Sequence, residues 1–133
     1  MPTQASITVA LSPNPVISTD CEPAPCQAAD GRLFRWRLQG TLTIQETAGI
    51  GGLVDSITVT AFNPQFVYTS ADIVQRSGTN RVAAHGVLVF PLTSVYGLVD
   101  NPNATRQVVL PFVVRFIDDR GNAVTGIAQW NAS

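Results

Sequence analysis

Apolar and polar residues alternate most clearly between Leu33 and Glu46. The even positions from Phe34 to Ile44 are apolar except for Gly40, and the odd positions from Arg35 to Gln45 are polar or charged. A period of two is typical of a strand with one buried and one solvated face. We therefore predict one long half-buried strand whose core residues are Phe34, Trp36, Leu38, Leu42 and Ile44. Gly40 falls on the apolar face, where a bend or a close backbone approach would explain the missing side chain.

Further runs with the same period predict additional strands. The apolar residues that define them are Ile7, Val9 and Leu11; Ile57, Val59 and Ala61; Phe66 and Tyr68; Leu88, Phe90 and Leu92; Val108, Leu110, Phe112, Val114 and Phe116; and Val124, Ala128 and Trp130. The Gly-rich stretch 48–52 and the pair Asn63-Pro64 bound the second of these runs. Pro91 and Pro111 lie in the runs that contain Leu88 and Leu110, on the face opposite their apolar rows. Because proline has no N–H to donate to a β-ladder, each is predicted to mark a sheet edge or a bulge.

One segment has the features of a short helix. Ser70 is a predicted N-cap, Asp72 suits the positive end of a helix, and Gly78 can end it after one or two turns. About seven to eight strands with a single helical turn indicate an all-β sandwich or barrel. A length of 133 residues is suited to one domain spanning 1–133, which can bury about two-thirds of its unfolded surface.

Composition and charge exclude several classes of protein. Hydrophobic residues make up 45% of the chain and charged residues 13%, which excludes a disordered segment. The net charge is −1, and the eight basic residues are arginines without a basic run, so nucleic acid is not expected as a partner. Apolar runs such as Val108–Val114 are shorter than the ~20 residues that span a bilayer. The first residues also lack the basic-then-apolar pattern of an export signal.

The two cysteines lie in the sequence Cys21-Glu-Pro-Ala-Pro-Cys26. A zinc site would need further Cys or His ligands nearby, and thiol oxidoreductases use a Cys-x2-Cys spacing. We therefore predict a local disulfide that stabilises the fold by about 2 kcal/mol, which places the chain in an oxidising, extracytoplasmic compartment. Two free thiols in a cytosolic protein are the alternative.

The segment Val113-Val-Arg-Phe-Ile-Asp-Asp-Arg-Gly-Asn-Ala-Val-Thr-Gly126 resembles the strand, turn and strand of bacterial immunoglobulin-like modules. The opening Ile7-Thr-Val9, Asn14-Pro-Val16, the cysteine loop and Phe34-x-Trp36 are similar to immunoglobulin-like domains of secreted or lipid-anchored surface proteins. The resemblance implies an immunoglobulin-like sandwich, with an export signal or lipid anchor upstream of Met1. A native cytosolic or virion start is the alternative. The cysteines are too close in sequence to form the inter-sheet bridge of antibody domains.

Residues that could carry catalysis are few. His85 is predicted to be an exposed turn residue without a nearby Ser or carboxylate, and the two glutamates, Glu22 and Glu46, give no specific carboxylate pair. The glycines of 49–52 precede neither a helix nor a phosphate-binding Lys, so they predict a hairpin connection. The segment Asp118–Asn122 is predicted to be a tight turn without calcium. We expect no enzyme activity, cofactor or metal.

Three functions remain open from the sequence. The first is a structural, adhesion or protein-binding module, because the residues serve a core and leave no reactive cluster. The second is a carbohydrate-binding module, which would need Phe62, Tyr68, Tyr96 or Trp130 to point outward. The third is a virion or filament subunit that self-assembles. The expected partner is accordingly an unidentified protein, a surface glycan or a second copy.

Overall fold

A computed structural model describes residues 3–22, 24–60 and 65–133. The described chain contains ten strands and one helix. The strands are β1 (Ile7–Ser12), β2 (Thr19–Asp20), β3 (Cys26–Gln27), β4 (Leu33–Glu46), β5 (Gly52–Val59), β6 (Phe66–Thr69), β7 (Arg81–Val82), β8 (Val87–Leu98), β9 (Val108–Asp118) and β10 (Ala123–Ala132), and the helix is α1 (Ser70–Ser77). Three of the strands have only two residues, so the longer ones match the predicted number.

The strands form two antiparallel sheets that pack as a sandwich, which confirms the predicted all-β fold. In the first sheet β4 is central, with β1, β2 and β3 along one side and β8 along the other. The second sheet has the order β10-β9-β5-β6, and β7 also pairs with β5. Ala61, part of the predicted second run, and the Asn63-Pro64 boundary lie outside the described residues.

The chain changes sheets shortly after β1. The peptide bonds before Pro13 and Pro15 are cis, and Val16 then forms a parallel bridge to Ala132 at the end of β10. Of the seven longer strands, the first sheet contains β1, β4 and β8, and the second contains β5, β6, β9 and β10. Neighbouring strands are antiparallel within both sheets, as is common in β-sandwiches.

The core lies between the inner faces of the two sheets. Its largest fully buried side chains include Trp130, Phe90, Phe112 and Phe116. The predicted inward rows of β8 and β9 are confirmed, although Val108 is only partly buried. Trp36 is a further exception, because it packs against the core and against the Tyr96 ring, 5.4 Å between centroids, but stays partly exposed.

Helix α1 begins one residue earlier than predicted. Thr69, not Ser70, is the N-cap: its hydroxyl accepts from the Asp72 N–H, and the Asp72 carboxylate accepts from the Thr69 N–H. This reciprocal capping box satisfies two backbone donors that an N-terminal turn leaves open. Gly78 ends the helix with φ of +83°, as predicted.

The structure separates the roles of Pro91 and Pro111. Pro91 lies in β8, which pairs only with β4 among the described strands, so it marks an edge as predicted. The prediction is wrong for Pro111, because β9 is flanked by both β10 and β5. The described β5–β9 ladder ends at the pair Val59 and Phe112, and the Pro111 carbonyl accepts the Thr60 N–H at 3.1 Å just beyond it. Pro111 therefore lies at the end of the ladder, where only a reciprocal N–H bond is missing.

Gly40 shows the predicted close backbone approach. A Cβ atom at this position would lie 2.6 Å from the Ser12 carbonyl oxygen and 2.7 Å from the Trp130 ring. The absent side chain therefore lets β1 and the core tryptophan pack directly on β4.

Candidate interaction face

The outer surfaces of the two sheets differ in polarity. The outer face of the first sheet is mostly polar along β4, where the outward residues are Arg35, Arg37, Gln39, Thr41, Thr43 and Gln45. Its exposed apolar side chains include Val87 and Val89 near the start of the edge strand β8. Such a surface is ordinary for a half-solvated antiparallel sheet.

The outer face of the second sheet carries a cluster of apolar residues centred on β9, with the polar residues Ser56, Thr58, Thr125 and Gln129 between and beside them. We call this surface the apolar face and define it by Leu53, Val67, Val109, Pro111, Val113, Ile117 and Ile127. Ile127 is 75% exposed, and Leu53, Val67 and Val109 are 44–48% exposed. Ile127 is the cross-strand partner of Val113, and Thr58 is the partner of both Val113 and Val67. These four residues form one row of side chains across β10, β9, β5 and β6.

The apolar face carries no net charge. A register shift between Val54 and Ser56 leaves Asp55 unpaired in the ladder, and its exposed carboxylate lies 3.6 Å from Arg115. The β9–β10 ladder has ten residue pairs and the β5–β6 ladder four, so the four-stranded sheet is about 15 Å wide and tapers from about 33 Å to about 13 Å in length. Exposed apolar side chains that cluster on one face, as Leu53, Val67, Val109 and Ile127 do, are a feature of interaction sites in folded proteins.

The aromatic residues proposed for a sugar platform lie elsewhere. Tyr68, Tyr96 and Trp130 are 7%, 6% and 0% exposed, which contradicts the outward orientation that sugar stacking needs. The Tyr96 hydroxyl donates to the Arg106 carbonyl at 2.6 Å, and the Trp130 indole N–H donates to the Pro13 carbonyl at 2.8 Å. These side chains therefore hold loops onto the core, and Phe62 lies outside the described residues.

Cys21 and Cys26 form the predicted disulfide, with an S–S distance of 2.05 Å. Cys26 lies in β3 and pairs with Phe34 at the start of β4. On the other side of the loop, the Cys21 N–H donates to the Arg35 carbonyl at 2.9 Å. The ring therefore fastens the long connection before β4 and stays outside the buried core cluster.

His85 is an exposed turn residue, as predicted, with φ of +57°. Its backbone N–H donates to the Glu46 carboxylate at 3.1 Å, and its ring lies over Gly49. The predicted hairpin at the glycine stretch before β5 is wrong, because this stretch carries the chain from β4 in the first sheet to β5 in the second. The Gly49 and Ile50 N–H groups bind Glu46. These donors are thereby unavailable to a phosphate group.

Glu46 is a buried carboxylate that the sequence alone did not identify. Its side chain is 0% exposed. Its two oxygens accept five backbone N–H groups at 2.6–3.1 Å, from Ser6, Ala48, Gly49, Ile50 and His85. Burial opposes ionisation and would raise the pKa of Glu46, but the backbone donors outweigh it and lower the pKa from 4.5 to about 2.

Asp118 performs the same task in the turn between β9 and β10. Its carboxylate accepts the N–H groups of Ala5, Arg120 and Asn122 and the Asn122 side-chain amide, all at 2.8–3.0 Å. Desolvation would raise the pKa of Asp118, but these donors lower it from 3.8 to about 2. Four N–H groups directed at one carboxylate oppose cation binding there.

The predicted tight turn at Asp118–Asn122 is confirmed, with Gly121 at φ of +84°. Asp119 pairs with Arg81 at 2.7 Å, a partner that the sequence analysis did not assign. Over residues 3–22, 24–60 and 65–133, no group of three His, Cys, Asp or Glu side chains is placed to hold a metal ion. Within the same ranges, α1 is too short to cross a membrane, and no other helix is described.

Comparison of this chain with protein-family models, with curated proteins and with solved structures gives no match.

Proposed function

We propose that this chain is a non-enzymatic immunoglobulin-like module with a structural or protein-binding role in an oxidising, extracytoplasmic compartment. The two-sheet strand order supports the module class, and the Cys21–Cys26 disulfide supports the compartment. The buried carboxylates Glu46 and Asp118 are engaged by backbone donors, so they serve the loops and not a reaction.

The apolar face is the binding surface, and it is the observation that carries this proposal. Ile127, at the centre of β10, exposes three-quarters of its side chain to water. Removing apolar surface from water contributes about 25 cal/mol per Å². A partner that covers Ile127 and its cross-strand neighbour Val113 would therefore gain free energy that the isolated sheet forgoes.

A second copy of this chain is the partner that we propose. Because the face is neutral, it repels no copy of itself. Its two charged residues, Arg115 and Asp55, have opposite signs, so a two-fold arrangement can place each arginine near an aspartate of the other copy. Stacked sheets pack about 10 Å apart, which flat faces of valine and isoleucine allow.

Sedimentation equilibrium tests this arrangement. We expect the wild-type chain to form dimers in a concentration-dependent manner. Ile127→Asp should weaken the dimer by about tenfold or more, because an unpaired carboxylate would be buried in the contact. Val89→Asp is the matched control, since Val89 is an exposed strand valine, 51% accessible, on the other sheet. At concentrations where the wild type is monomeric, both variants should keep its melting temperature.

Two results would contradict the proposal. A wild-type chain that stays monomeric at every concentration would exclude the second copy as the partner. Equal weakening by both substitutions would show that the contact does not use the apolar face. Growth into polymers beyond the dimer, abolished by Ile127→Asp, would instead replace the closed pair by an open filament contact through this face.

A further inference from the structure

Arg37 differs from the other arginines of this chain in its lack of partners. Four arginines form ion pairs, namely Arg32, Arg81, Arg106 and Arg115. Arg35 donates to a backbone carbonyl, and Arg76 lies over aromatic rings. Arg120 also has an interaction partner. Within the described part of the chain, the Arg37 guanidinium has none, and its Nε atom is shielded from water without a hydrogen bond.

The position of Arg37 explains why it stays partly buried. It lies on the outer face of the first sheet, between Thr19 of β2 and Val95 of β8. Its side chain lines a cavity of about 340 Å³ between β4 and the segment that follows β1. The remaining lining residues are Pro13, Pro15, Val16, Ile17, Thr19 and Gln39. Arg37 is the only charged residue in this lining, so the cavity has one uncompensated positive charge.

The segment that forms the apolar wall of the cavity is fixed in place by backbone hydrogen bonds. The N–H groups of Val16 and Ser18 donate to the carbonyls of Asn131 and Ser133 at 2.8 and 2.9 Å. Because successive residues of an extended segment point to opposite sides, Ile17 is directed away from the core, and it is 80% exposed. The Asn14 side chain further fixes the segment by bonding to the Gln129 carbonyl and the Asn131 N–H.

The neighbouring carboxylate does not neutralise Arg37. Asp20 follows Thr19 in the same short strand, but its carboxylate pairs with Arg106 at 3.2 Å. Arg106 is in turn fixed by two bonds to Ser18, each of 2.7 Å. The Asp20 carboxylate is therefore already engaged by Arg106, and the Arg37 guanidinium remains free to bind an external anion.

We propose that this cavity binds a carboxylate attached to a small aliphatic group. The carboxylate would pair with the Arg37 guanidinium, whose planar N–H groups match two oxygens at once. The aliphatic group would contact the rings of Pro13 and Pro15 and the Ile17 side chain. A phosphate dianion fits less well, because one guanidinium in a largely apolar lining supplies few of the donors that it needs. The ligand is a free acid, a peptide chain end or an acidic side chain.

The test is a titration followed by NMR of backbone amides and of arginine Nε–H groups, with isobutyrate as the probe. We expect saturable shifts at Ile17, Thr19, Gln39 and the Arg37 Nε–H. Isobutyramide, the uncharged analogue, and inorganic phosphate should bind at least about tenfold more weakly, since they lack the monoanionic carboxylate. N-acetylvaline and N-acetylglutamate amide then distinguish a chain end from an acidic side chain by their relative affinities.

Three variants make the result decisive. Arg37→Gln should reduce isobutyrate affinity by about tenfold or more. Arg35→Gln, on the same strand face, should leave it unchanged because Arg35 already donates to the Val99 carbonyl. Ile17→Ser changes an exposed residue and should weaken isobutyrate more than acetate. Linear shifts without saturation, or equal binding by Arg37→Gln and the wild type, would overturn the assignment. This site is on the other sheet from the apolar face, so its test is independent of dimer formation.

Discussion

Glutamine at position 46 would keep the shape of the glutamate side chain and remove its charge. In the wild-type chain Oε1 accepts three backbone N–H groups and Oε2 accepts those of Ser6 and Ala48. If the glutamine oxygen occupies the Oε1 position, its NH2 group faces the Ser6 and Ala48 donors. Each buried donor without an acceptor costs about 1–3 kcal/mol. Because Ser6 is exposed and can recruit water, we expect a total of about 3 kcal/mol for Glu46→Gln.

Urea denaturation measures this loss directly. With an m-value of about 2 kcal/mol per M, the midpoint should fall by about 1.5 M. Glu22→Gln is the matched control, since Glu22 is the only other glutamate and lies exposed in the cystine loop. Its midpoint should equal that of the wild type. Equal midpoints for both variants would refute the assignment of Glu46 as the acceptor that holds three backbone segments together.

The pH dependence gives the same prediction an independent check. The pKa of Glu46 is lower in the folded chain, about 2, than its ordinary value of 4.5. Its contribution is therefore fully present above about pH 4.5 and is lost as the pH falls toward 2. The pKa of Asp118 is lowered in the same direction, so the wild type loses stability from both groups. The difference between wild type and Glu46→Gln should shrink over this window, and a constant difference would contradict ionisation of Glu46.

Two further predictions concern the β1–β4 contact and the cystine loop. Gly40→Ala should lower the urea midpoint by the equivalent of about 1–3 kcal/mol, because the new Cβ would lie 2.6 Å from the Ser12 carbonyl oxygen; an unchanged midpoint would show that β1 can withdraw from β4. Reduction of Cys21–Cys26 should cost about 2 kcal/mol and leave the near-ultraviolet circular dichroism of buried Trp130 intact. Mass analysis after alkylation should find no free thiol in the chain from its native source, and free thiols there would contradict the proposed extracytoplasmic location.

Strand positions could be predicted from the sequence because the alternation of side chains is a local property. The long strand β4 has the predicted ends, Leu33 and Glu46, and Phe112 and Trp130 are buried as their phase requires. The partial exposure of Trp36 could not be predicted from this alternation, because it depends on which residues pack against the Trp36 ring near the end of the sheet. Gly97 lies against its ring, and this contact joins residues that are far apart in the chain.

The burial of Glu46 could not be predicted for a related reason. A charged residue at a strand end is usually solvated, and only the folded chain brings three separate loops to its carboxylate. The His85 N–H is 39 residues away in sequence and the Ser6 N–H is 40. Asp118 was easier to interpret, because its bonds to Arg120 and Asn122 lie within a turn whose chemistry is local. Even there, the bond from the Ala5 N–H was not foreseeable.

The apolar face also has a signature in the sequence of β9. From Val108 to Phe116, nearly every residue is apolar, and Arg115 interrupts the run. Strands of this type are ordinarily covered on both faces, whereas a strand with one solvated face alternates as β4 does. In the folded chain the inward residues Phe112 and Val114 are covered, and the outward side bears Val109, which is 48% exposed. A strand with a two-sided apolar sequence and a one-sided core therefore supports our proposal that a second surface covers the apolar face, in which β9 is central.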